Sequence, residues 1–167
     1  MKRCDRRAQI KLSFGMMFSV ILIIVFLAFT FYSVKTLLGM NDAVTIGKFY
    51  DSIQDDVDRA WKASYGSQEE TYRLPQKIEK VCFVDYNSDA RGDSSELYNE
   101  LNTAFWETEN LIFYPVGSGE GADSINLKHI DIAKMTLEEN PFCFDNIKGK
   151  VTLTIEKVYG EKLATIK

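Results

Sequence analysis

The segment from Asp85 to Glu96 carries side-chain oxygens at Asp85, Asn87, Asp89, Asp93 and Glu96, which are positions one, three, five, nine and twelve of the stretch. The backbone carbonyl of Arg91 is available at position seven. A hard cation needs six or more oxygens wrapped from a short length of chain, so this spacing is that of a calcium loop and makes calcium the one candidate cofactor. Position six is Ala90, where such loops carry glycine for the sharp turn; Gly92 comes two residues later. The same residues also read as an acidic turn that caps the next helix. Asp93 is then the N-cap and Glu96 closes a capping box, and this is the preferred reading. Arg91-Gly92-Asp93 spells a tripeptide bound by integrins, and inside this stretch it is read as turn chemistry.

Nucleophilic chemistry would need a base beside a cysteine or serine. The only histidine is His129, in the alternating run Leu127-Lys128-His129-Ile130-Asp131, and it reads as a half-buried strand residue. Cys82 and Cys143 stand in apolar, strand-like contexts. They form a disulfide if the compartment is oxidising, or remain two buried thiols that act as small hydrophobes. One His and two distant Cys cannot supply the four ligands of a zinc site. Gly117-Ser118-Gly119-Glu120-Gly121 follows a strand, as phosphate loops do. It lacks the Lys-Ser/Thr, however, and Glu120 would repel phosphate, so it reads as a hairpin loop. No motif points to catalysis, and the chain is expected not to be an enzyme.

The elements that position these residues begin with a helix. Leu12 to Val34 is a run of 23 residues without a charge. As a helix it would extend about 35 Å, against a hydrocarbon core of about 30 Å. Beyond it, Leu37, Met40, Val44, Ile46, Phe49, Ile53, Val57, Ala60 and Trp61 recur mostly at spacings of three and four, with charged residues off the stripe. Four segments follow: a basic tail 1–11, a transmembrane helix 12–36, an amphipathic continuation 37–65 and an α+β domain 66–167. Gly66 is expected to end the helix as a left-handed cap, with a kink near Gly39 or Gly47.

Within the domain, 70–74, 78–86, 111–116, 125–132 and 151–158 read as strands and 94–106 as a short helix. Tyr159-Gly160-Glu161 is the turn of a last hairpin that returns over 162–166. The fold class is therefore α+β: a long N-terminal helix, one short helix and an antiparallel sheet.

Charge sets the orientation. The tail carries Lys2, Arg3, Arg6, Arg7 and Lys11 against Asp5, and basic residues are retained on the cytoplasmic side. The N-terminus is expected inside, with the domain outside the plasma membrane. A cleaved secretory signal would have a shorter apolar core and a better cleavage site than Ala28-Phe29-Thr30. With the whole chain at −4 and the tail at +4, residues 35–167 carry −8, which argues against a nucleic-acid partner. Cys4, in the tail, would be a free thiol. The chain has no Asn-x-Ser/Thr acceptor for an N-glycan.

A helix half in lipid and half amphipathic, followed by an antiparallel sheet, resembles type IV pilins and pilin-like proteins, archaeal ones included. That resemblance implies a basic leader cut on the cytoplasmic side after Gly or Ala. Arg7-Ala8-Gln9-Ile10 fits such a junction, with cleavage between Ala8 and Gln9. Two positions depart from the family: Lys11 falls at the third mature position, where an apolar residue is usual, and Ser13 at the fifth, where many members carry glutamate.

The expected function is that of a single-pass, membrane-anchored structural or interaction protein of the cell envelope. Its expected partners are membrane lipid, an envelope protein and other copies of itself joined through the N-terminal helix. The alternatives are a tethered binding module with a calcium loop at 85–96 and an anchored Cys/His enzyme.

Overall fold

The computed structural model describes residues 14–105 and 109–167. The Ala8–Gln9 junction, the basic tail and residues 106–108 lie outside the described residues. The chain divides into two units, Met1–Leu38 and Gly39–Lys167.

In the first unit the described residues are helical. They open α1, which is assigned as Phe14–Lys62. From Phe14 to Val34 the large apolar side chains are exposed. This is a helical stretch long and apolar enough to cross a membrane. Two of its hydroxyls are satisfied within the helix: Ser19 donates to the Gly15 carbonyl at 2.9 Å and Thr30 to that of Phe26 at 2.8 Å. A polar side chain can enter lipid on those terms.

In the second unit α1 buries Ile46, Phe49, Ile53 and Val57, a stripe at spacings of three and four. The stripe is narrower than the sequence predicts. Val44 is 56% exposed and Trp61 37%, because the apolar residues beyond Leu37 outnumber those one helix face can turn inward. The helix stops at Lys62. Gly66 does not cap it in a left-handed conformation; it opens the first strand instead.

Among the described residues seven strands, all paired antiparallel, form two sheets. We number them β1 (Gly66–Arg73), β2 (Lys80–Phe83), β3 (Leu111–Tyr114), β4 (Ser124–Ile125), β5 (Phe142–Asp145), β6 (Lys150–Lys157) and β7 (Thr165–Ile166). One sheet has the order β1-β6-β7 and the other β4-β3-β2-β5. Two further helices are α2 (Ser95–Ala104) and α3 (Ile132–Met135).

The main core joins the inner stripe of α1 to Val151, Leu153 and Ile155 of β6 and to Val81, Phe83, Leu111 and Phe113 of β2 and β3. At its centre Phe49 meets Tyr72 and Phe113 edge-on, with ring centroids 5.5 and 5.6 Å apart. The alternate residues Cys82 and Ile112, with Val84, face the other way and pack with Leu101 of α2 in a second, smaller core. The four-stranded sheet is thus covered on both faces. That explains why Val81-Cys82-Phe83-Val84 reads as a continuous apolar run rather than an alternating one.

The strand expected over 125–132 shrinks to Ser124–Ile125. Beyond it the chain turns at His129, where φ is +65°, and enters α3. The return of the last hairpin is likewise paired only at Thr165–Ile166. The loop after β3 is tightly built. A Cβ on Gly119 would sit 2.6 Å from the Ala122 carbonyl, and the Gly119 N–H is spent on Asp123 Oδ1 at 2.7 Å, so it is not offered to a phosphate.

Candidate functional site

The Asp85–Glu96 segment folds around an amide. Asp85 is buried: its Oδ1 accepts the Asn87 N–H at 2.9 Å and its Oδ2 accepts the Ser88 hydroxyl at 2.7 Å. Asn140 comes from the loop before β5 and is fully buried. Its Oδ1 accepts the Asp85 N–H at 3.1 Å, and its Nδ2 donates to the carbonyls of Asp85, Ser88 and Asp89 at 2.8, 3.2 and 3.3 Å. The Tyr98 hydroxyl adds a further bond to the Ser88 carbonyl at 3.1 Å. The Arg91 carbonyl, the one backbone ligand of the calcium reading, accepts the Asn140 N–H at 3.0 Å instead.

Asp93 and Glu96 line a groove with Ser94, Leu97, Glu100, Tyr114 and Lys80, away from this amide network. Among the described residues no three His, Cys, Asp or Glu side chains converge as a metal site.

The capping box of the sequence reading does not form. Ser94, not Asp93, is the N-cap of α2, and its hydroxyl donates to Glu139 Oε1 at 2.6 Å and accepts no helix N–H. Gly92 at φ +77° turns the chain one residue before the expected cap. Arg91 is held as well, donating through Nη1 to the Leu137 carbonyl at 3.0 Å, so the tripeptide's cation is used within the fold.

Cys82 and Cys143 stand directly opposite in the β2–β5 ladder and are bonded, with an S–S distance of 2.09 Å. The bond lies in the second core, against α2. His129 belongs to the other side of the four-stranded sheet. Its Nδ1–H lies 2.7 Å from Asp58 Oδ1, and its ring stacks on Trp61 at 3.8 Å with an interplanar angle of 4°. Gln54 completes the arrangement: Nε2 donates to Asp58 Oδ1 at 2.8 Å, and Oε1 accepts the Lys128 N–H at 2.9 Å. The hydrogen bond from His129 holds the Asp58 carboxyl below its usual range. The structure does not bring cysteine and histidine together, and both sulfurs are engaged. The arrangement at His129 clips the 128–131 segment to the end of α1.

Sequence reasoning names Cys82 and Cys143 but leaves open whether they are bonded, and it misses Asn140 and the Asp58–His129–Trp61 cluster. The only local sign of the first is the turn-forming Asn140-Pro141 step. Nothing marks the second, because its partners lie 71 residues apart.

Two other polar groups define the environment near α1. The Tyr72 hydroxyl donates to Asp56 Oδ2 at 2.7 Å; burial first, and then the neighbouring carboxylate, push its pKa far up. Lys77 joins Asp42 of α1, at 3.0 Å, to Glu120 of the glycine-rich loop.

No family model, no curated protein and no solved structure matches the chain.

Proposed function

We propose that this chain is a single-pass membrane-anchored protein that works by association: an extracytoplasmic domain held in the cell envelope by α1, assembling as a pilin-like subunit through that helix. The observation that carries the reading is the uncharged stretch Phe14–Val34, whose apolar side chains are exposed, in a chain whose second unit builds its core from residue 46 onward. Leaving that much apolar surface in water would be costly, whereas lipid satisfies it. The basic residues at 2–11 support a cytoplasmic N-terminus. The Cys82–Cys143 bond supports an oxidising compartment for the domain.

The test is the intact mass of protein extracted from native membranes under non-reducing conditions. A mass that begins at Gln9 is the result expected of a pilin-like leader; one that begins at Met1 removes that part and leaves an uncleaved anchor. Orientation is read on intact cells. Added protease should remove the domain, and in a chain that keeps its first eight residues Cys4 should resist a membrane-impermeant maleimide. Labelling of Cys4 from outside would reverse the topology.

A further inference from the structure

The described surface of the second unit is charge-divided in a way its own fold leaves uncompensated. At the end of α1 and the β6–β7 turn, the Gly66–Lys157 pairing places Tyr65 beside Val158. Tyr65 and Tyr159 are 73% and 81% exposed, and one face of Trp61 is covered by the His129 ring. Three lysines lie here. Lys62 and Lys162 are exposed, and Lys157 is 5% exposed on the inner face of β6, next along from Ile155. Among the described residues Lys157 and Lys162 form no ion pair, and Lys62 acts on the Asp58 carboxylate one turn back along α1 without closing an ion pair on it, although the chain as a whole is acidic. Glu161, the acid in this turn, is committed to Lys134.

The complementary surface is the groove along α2, a cleft of about 520 Å³. Asp93, Glu96 and Glu100 line it, and among the described residues none of them meets a cation, because Lys80 beside them is paired with Asp145 at 3.0 Å. Glu96 and Glu100 are one turn apart on a helix, where like charges disfavour each other until a cation comes between them. Leu97 and the Tyr114 ring give the cleft an apolar side suited to an aromatic residue. α2 covers the face of the four-stranded sheet opposite to α1, so the patch and the groove of one chain lie on different layers.

We propose that the groove of one copy receives the aromatic, lysine-rich patch of the next. This rests on the self-association reading and adds to it a second, charge-directed contact. Because the two surfaces differ, the contact is heterologous. Repeated, it propagates into an open chain of copies rather than closing as a two-fold dimer.

The experiment uses the full chain in mild detergent, with mass read by sedimentation across concentration. Lys62→Glu with Lys162→Glu, and separately Glu96→Lys with Glu100→Lys, should each raise the concentration needed for association at least tenfold. Mixing the two variants one to one should restore it, since each then offers what the other lost. Raising salt to about 0.5 M should weaken the wild type in the same direction. Circular dichroism and a count of one free thiol confirm that each variant is folded with its disulfide. Association that survives both reversals, or a mixture that stays dispersed, overturns this inference and leaves the helix contact standing. A wild type that remains a single chain at every concentration overturns both.

Discussion

Asn140 serves the loop before α2 as the centre on which it closes. One buried amide accepts a backbone N–H and donates toward three carbonyls, of which that of Asp85 is buried and those of Ser88 and Asp89 are half-buried. Asn140→Ala would leave the Asp85 N–H and carbonyl buried and unpaired, at a cost of about 2–4 kcal/mol. Urea titration of the oxidised chain checks this; a loss below 1 kcal/mol would mean that water takes over the amide's contacts. Asp58 makes a smaller, pH-dependent contribution. Its folded pKa lies below its ordinary value because His129 hydrogen-bonds to the charged form. That stabilisation is therefore complete above the unfolded carboxylate range and is lost as pH falls through the folded value. Stability measured between about pH 5 and 2 should fall more steeply in the wild type than in Asp58→Asn. Parallel curves would show that the half-exposed pair contributes nothing measurable.

The elements were readable where periodicity is strong and hard to read where three-dimensional pairing decides. The long helix, β6 with its alternation and the buried run of β2 follow from side-chain pattern alone. Phe142–Asp145 is a strand only because Cys143 lies against Cys82, and four residues after a proline carry too little pattern to announce it. Leu127 to Asp131 alternates as a strand does, yet His129 in a left-handed conformation breaks it, held there by Asp58 and Trp61. In the candidate site the acidic spacing was legible, but its use was not, since the amide that organises it comes from 55 residues away. Two predictions belong at this scale. Phe49→Ala, at the meeting of α1 with both sheets, should cost about 3–5 kcal/mol, and a far smaller loss would mean that the core collapses around the gap. Cys82→Ala with Cys143→Ala should cost about 4 kcal/mol, from the loop of 61 residues that the bond closes. Equal denaturant midpoints for this variant and the oxidised wild type would contradict that account.

At the scale of the whole molecule, the core of the second unit draws on no residue before Ile46. A chain beginning at Gly39 should therefore fold in water with its disulfide formed, give dispersed amide resonances and stay out of detergent micelles, while the full chain partitions into them. Collapsed resonances would mean that the helical stretch before Gly39 is needed for folding. The bond between Cys82 and Cys143 also has a mechanical meaning. A tether that resists being drawn away from a surface must limit how far it can lengthen once it yields. The cross-link removes 61 residues from the extensible length, about 20 nm at about 3.4 Å per residue. Pulled between position 39 and position 167, the oxidised domain should release a contour shorter by that amount than the reduced one, so the thiol balance of its surroundings would set how far the unfolded domain can stretch.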